Sequence, residues 1–123
     1  MIVDSMKQIP AHMRYVKRVE MTCKGEDDFK GTLHTECAFG RWYYDDGEDL
    51  AAQLPPLALE AWIEIGKIHK AFHDESQEAL KCQGNGDVSP YITEMLRLSS
   101  VLVQRILELD AMTSGVKERT PDQ

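Results

Sequence analysis

Apolar positions recur at helical spacing from Ile9 onward. Ile9, Met13, Val16, Glu20 and Cys23 follow one another at steps of three and four, and His12, Tyr15, Val19 and Thr22 form the stripe beside them. Pro10 suits the first turn, where its missing N–H has no helical partner to lose. The charged stretch KGEDDFKG (24–31) ends this helix. A short helical segment is expected over roughly 32–46, before Gly47 and LPP (54–56) break the chain again. The third helix should run from about Leu57 to Cys82. One face carries Leu59, Trp62, Gly66, His69, His73, Ser76 and Leu80, and the neighbouring stripe carries Ile65, Ile68, Phe72 and Ala79. QGNGD (83–87) reads as a loop, and Ser89 with Pro90 as an N-cap and first-turn proline. The fourth helix should reach about Met112. Tyr91, Met95, Leu98, Leu102 and Leu109 lie on one side of it, and Ile92, Leu96, Val103 and Ile106 on another. No stretch alternates as a strand would. The pattern predicts an all-α protein, an antiparallel four-helix bundle with a short extra helical segment carrying Cys37. A single domain is expected over 1–123, with a core over about 9–112 and a polar, flexible tail over 113–123.

Composition narrows the chemistry. The 123 residues carry a formal net charge of −7, and no Lys/Arg cluster offers the basic face that nucleic acid requires. No apolar run approaches the roughly 18 residues of a membrane span. MIVDSMKQIP at the N-terminus lacks the pattern of a secretion signal. The expectation is a cytoplasmic protein that binds neither nucleic acid nor membrane. Three cysteines, Cys23, Cys37 and Cys82, are an odd number for a disulfide framework, so metal binding or redox chemistry is the better use for a special cysteine.

CAFGRWYY (37–44) is where that chemistry concentrates. It holds four of the chain's nine aromatic residues beside one cysteine. Downstream, HKAFH places His69 and His73 four apart, which puts both imidazoles on one helical face as two ligands of one ion would need. That spacing alone also fits surface or satisfied core histidines, and the glutamate of an HExxH protease is missing. With Cys37, and with His12 on the inner part of the first helix, the chain offers three imidazoles and one thiolate. Four borderline-soft donors of this kind suit tetrahedral zinc.

These residues resemble the chemoreceptor zinc-binding (CZB) domain family of bacteria. Its pattern is a histidine followed three residues on by an aromatic or leucine, then Cys–x–apolar–Gly–x–apolar, then His-x-x-x-His. HMRY (12–15), CAFGRW (37–42) and HKAFH (69–73) match every fixed position, and the likeness runs from 12 to about 110. The resemblance implies a four-helix bundle holding one zinc per chain through His12, Cys37, His69 and His73. It also implies a regulatory role beside chemoreceptor modules or diguanylate cyclases, with zinc, or oxidants such as hypochlorous acid acting at the zinc-bound Cys37, as the signal. No signalling or cyclase domain is attached, so a standalone copy acting on a partner in trans, or an excised domain, is expected. The segment before His12 leaves the first helix little room to extend.

Around the cysteine, Gly40 is expected to let the backbone turn tightly. Phe39 and Trp42 are expected to shield the metal, although the same aromatics would serve as plain core. His34 reads as a surface or metal-adjacent histidine, and Cys23 and Cys82 as small buried apolar residues. Asp74 or Glu75 could orient a ligand imidazole. The fourth helix is apolar on more faces than one bundle needs, which predicts a homodimer or a docked partner helix. A zinc hydrolase is disfavoured, because four protein ligands leave no open position and no glutamate stands as general base. A hemerythrin-type di-iron site needs more histidines than four. The functional expectation is therefore a non-catalytic zinc sensor, and the alternative is an interaction module with a purely structural zinc.

Overall fold

A computed structural model describes residues 9–82 and 87–118, and among these every regular element is helical. Five helices follow in order: α1 Ile9–Cys23, α2 Ala38–Tyr44, α3 Asp46–Ala51, α4 Pro56–Lys81 and α5 Ser89–Glu118. The three long helices pack on one another, α4 against α5 most extensively, and α2 packs on α3. Of the loop expected over 83–87 and the tail expected over 113–123, residues 83–86 and 119–123 lie outside the described residues.

On α1 the second stripe is the one that faces inward: His12, Tyr15, Val19 and Thr22 are buried together with Val16, whereas Met13 is 45% exposed. Both stripes of α4 contribute to the core, through Trp62, Ile65, Ile68, His69, Phe72, His73, Ser76 and Ala79. From α5 come Met95, Leu98, Leu102, Ile106 and Leu109. Fully burying such apolar side chains stabilises the fold by about 1.5–3 kcal/mol each. The helix continues past Met112, where the strong periodicity ends, to Glu118.

The helical segment expected over 32–46 is shorter in the structure. Residues 24–37 contain no α-helix; side chains of α1 capture their backbone instead. Phe29 N–H donates to Thr22 Oγ1 at 3.1 Å and Thr32 N–H to the Tyr15 hydroxyl at 3.0 Å. Between 32 and 45 only Ala38–Tyr44 is helical, held on α4 by Tyr43, whose ring stacks on Trp62 at 4.2 Å and whose hydroxyl donates to Trp62 O at 2.6 Å. Gly47, read as a break, lies inside the short helix α3.

Candidate metal centre

Three elements bring the four predicted donors together. His12 comes from the buried stripe of α1, and His69 and His73 sit one turn apart on α4. Cys37 is the residue before α2, with extended backbone (φ −73°, ψ 165°) and a sulfur that accepts from Gly40 N–H at 3.3 Å. One ligand atom from each of the four lies within 4.8 Å of all the others. Cys37 Sγ is 3.2 Å from His69 Nε2 and 4.0 Å from His12 Nε2, and the two Nε2 atoms are 3.2 Å apart. Tetrahedral zinc with ordinary bond lengths sets its N···N and N···S edges at about 3.3–3.6 Å. The spacing therefore fits a zinc ion.

Two further observations support that fit. His73 Nε2 is buried with no hydrogen-bond partner, a costly state unless the lone pair has another use. His73 Nδ1 donates to Thr32 O at 2.9 Å, which leaves Nε2 as the free lone pair facing the cluster. Burial favours the neutral form of all three imidazoles, the form in which they ligate a metal. Burial, and then the nearby His73, bring His12 down to about 4. Burial lowers His69 further, with His73, His12 and His34 adding to it. Burial also lowers His73. Burial pushes the Cys37 thiol up, and N–H groups at the start of α2, Gly40 first, oppose it. A bound cation reverses that balance and favours thiolate.

Aromatic rings close the centre. Phe39, 1% exposed, lies 4.6 Å from the His69 ring and 5.9 Å from His12. Phe72 stands 5.2 Å from His12 and 5.4 Å from His73. Spacing alone places it only on an apolar stripe of α4; the histidine three residues before it and the one directly after are the signal for its second use. Trp42 packs farther out, against Phe39 and Trp62, at 5.8 and 5.5 Å. Gly40 serves by close approach rather than by a tight turn. It sits inside α2, and a Cβ there would overlap the His34 carbonyl.

The remaining candidates stand apart. The His34 ring packs on Tyr44 at 5.6 Å, and His34 is not in the donor group. Asp74 pairs with Lys70 at 2.7 Å on the surface, so the group that orients His73 is the Thr32 carbonyl, which the sequence did not single out. Cys23 and Cys82 are half-buried free thiols, and the Cys23 thiol donates to Ala79 O. No helix among the described residues is long and apolar enough to cross a membrane.

Searches of curated proteins and of solved structures return no match. The family described as the chemoreceptor zinc-binding domain matches residues 12–80, a span that begins at the first histidine of the cluster and closes just beyond the last. The same four residues meet around a volume of zinc's size, and the chain belongs to the chemoreceptor zinc-binding domain family.

Proposed function

We propose that this domain is a non-catalytic zinc sensor in which His12, His69 and His73, each through Nε2, and Cys37 through Sγ hold one zinc ion. The observation that carries this reading is the convergence of four buried or half-buried donors within 4.8 Å. A bound zinc supplies a Lewis-acidic centre that keeps the Cys37 sulfur deprotonated at neutral pH. Four protein donors fill a tetrahedral shell and leave no position for substrate, which argues against hydrolysis.

Cys37 is the redox-reactive residue. Its sulfur takes oxygen from hypochlorous acid to give sulfenic acid, with chloride released, and the oxidised sulfur is the poorer donor. Phe39 and Trp42 shield the centre, and Gly40 holds the Cys37 turn against the His34 carbonyl. The fold is an antiparallel four-helix bundle in which the short pair α2–α3 takes the fourth place beside α1, α4 and α5. The signal passes to a chemotaxis or cyclic-di-GMP partner in the cytoplasm. Pairing of two chains through the apolar stripe of α5 provides the route, since Leu96 and Leu107 are 41% and 53% exposed.

A structural zinc that only fastens the helices is the second reading. It is favoured by the near-complete burial of His12, His69 and His73. Metal analysis of the purified protein should find one zinc per chain, and Cys37→Ala should lose most of it. Stoichiometric hypochlorous acid should release zinc to a chromogenic chelator in step with oxidation of Cys37, followed by mass spectrometry. Oxidation of Cys23 or Cys82 ahead of an intact Cys37 would sink the redox reading and leave zinc occupancy or a structural zinc.

A further inference from the structure

The Tyr15 hydroxyl lies outside the donor set, yet it sits at the junction of three elements. Thr32 N–H donates to it at 3.0 Å, and it lies 3.2 Å from Thr32 O and 3.1 Å from Ser76 Oγ. Ser76 commits its own hydrogen to His73 O at 2.6 Å, so toward Tyr15 it can only accept. The Tyr15 oxygen therefore receives the Thr32 N–H, and its single hydrogen points to Thr32 O or Ser76 Oγ. The same residue presents its carbonyl, in the next peptide unit, to His73 Nδ1 at 2.9 Å.

The tyrosine has no freedom to turn away. It is 8% exposed, and its ring meets Phe29 and His73 edge-on at 5.0 and 4.9 Å. The backbone on the loop side is shaped for the contact as well. Gly31 has φ +79°, the left-handed region that favours glycine, and a Cβ there would press on Gln77 Nε2, Leu80 and the Tyr15 hydroxyl. The loop between α1 and α2, which delivers Cys37, is thus pinned at Thr32 to a donor histidine of α4 through a hydroxyl of α1.

We propose that Tyr15 is a positioning residue for the metal centre: its hydroxyl fixes the backbone at Thr32 so that Thr32 O holds His73 in the Nδ1–H form, with Nε2 free to ligate. The inference rests on the zinc reading above. A carbonyl that accepts from the far nitrogen of a ligand imidazole fixes ring and tautomer, and losing such a partner costs about 10–100-fold in metal affinity. A phenylalanine at position 15 keeps the ring packing and removes only the oxygen. The pinned peptide also ties the loop that carries Cys37 to the state of His73, so this tyrosine couples two of the four donors.

The test compares wild type with Tyr15→Phe and, independently, Gly31→Ala, which removes no donor and no hydroxyl but crowds the Tyr15–Thr32 contact from the loop side. Three quantities are read: zinc affinity by chelator competition, the His73 tautomer by nitrogen NMR of the metal-free protein, and exchange protection of the Thr32 amide. Circular dichroism confirms that the helices persist. Wild type should show a protonated Nδ1 at His73 and a protected Thr32 amide. Both variants should lose that protection, show a mixture of His73 tautomers and bind zinc roughly 10-fold or more weakly. Zinc binding within about twofold of wild type, or weakened binding with tautomer and amide protection unchanged, overturns the positioning role. A wild type that takes up no zinc while showing the Nδ1–H form would defeat the zinc reading and leave the Tyr15–Thr32–His73 arrangement standing.

Discussion

Gly40 shows how much of the centre depends on single atoms. Its missing side chain lets α2 start against the His34 carbonyl, and its N–H is the group that Cys37 Sγ accepts from. Alanine at this position cannot be accommodated by swinging a flexible side chain aside, because the obstacle is backbone. Either α2 or the 34–36 turn must move, and Cys37 moves with it. Gly40→Ala is expected to cost about 1–3 kcal/mol of stability, the usual range for overpacking. It should also weaken zinc binding, since the sulfur lies only 3.2 Å from His69 Nε2 and has little room to shift. Thermal unfolding with and without zinc, together with chelator competition, checks both effects; a variant as stable and as tight as wild type would mean that the turn relaxes freely. Phe39 acts by a different route at this scale. Nearly buried and set against His69 and His12, it excludes water from the lone pairs without bonding to them.

Helices differ in how plainly they announce themselves. α1, α4 and α5 are long and periodic, so their existence, and the convergence of His12, His69 and His73 on inward faces, could be read from spacing. The limits of α2 could not. Residues 32–37 hold no glycine or proline that would stop a helix, yet two side-chain bonds from α1, at Thr22 and Tyr15, hold their neighbourhood in another path, and tertiary capture of this kind leaves no local trace. The role of Thr32 was hidden for the same reason, because it acts through its backbone carbonyl. α5 raises an element-scale question that spacing did answer in part. Five of its apolar residues are buried within the chain, while Leu96 and Leu107, on one face, remain 41% and 53% exposed. Pairing of two chains along that stripe predicts a dimeric mass by light scattering at micromolar concentration, and Leu107→Glu should shift it toward monomer by placing a charge in the contact. A monomeric wild type would remove the dimer.

Over the whole molecule, the metal centre gathers side chains from α1, the segment before α2 and α4, and its cost without metal should be visible as a pH dependence of folding. Burial holds His12 at about 4, His69 lower still, and His73 below its ordinary value. In the unfolded chain each titrates near its usual value of about 6.5. A depressed folded value means that, as pH falls below about 6.5, the unfolded chain takes up protons that the folded chain refuses. The metal-free protein should therefore be fully stabilised above about 6.5 and lose stability as pH drops toward 4, by about 1.4 kcal/mol per pH unit for each histidine so affected. Zinc acts in the same direction for a second reason. Protons compete with it for the same lone pairs, whereas at neutral pH a zinc concentration about 100 times the Kd adds about 2.7 kcal/mol. Urea midpoints at about pH 7.5 and pH 5.5, a window in which most carboxylates keep their charge, separate the two contributions. The metal-free midpoint should fall on acidification, and the increment given by zinc should shrink with it. A metal-free midpoint that stays flat across this window would mean that the three imidazoles are hydrated in the apoprotein, and that the buried cluster forms only when the ion arrives.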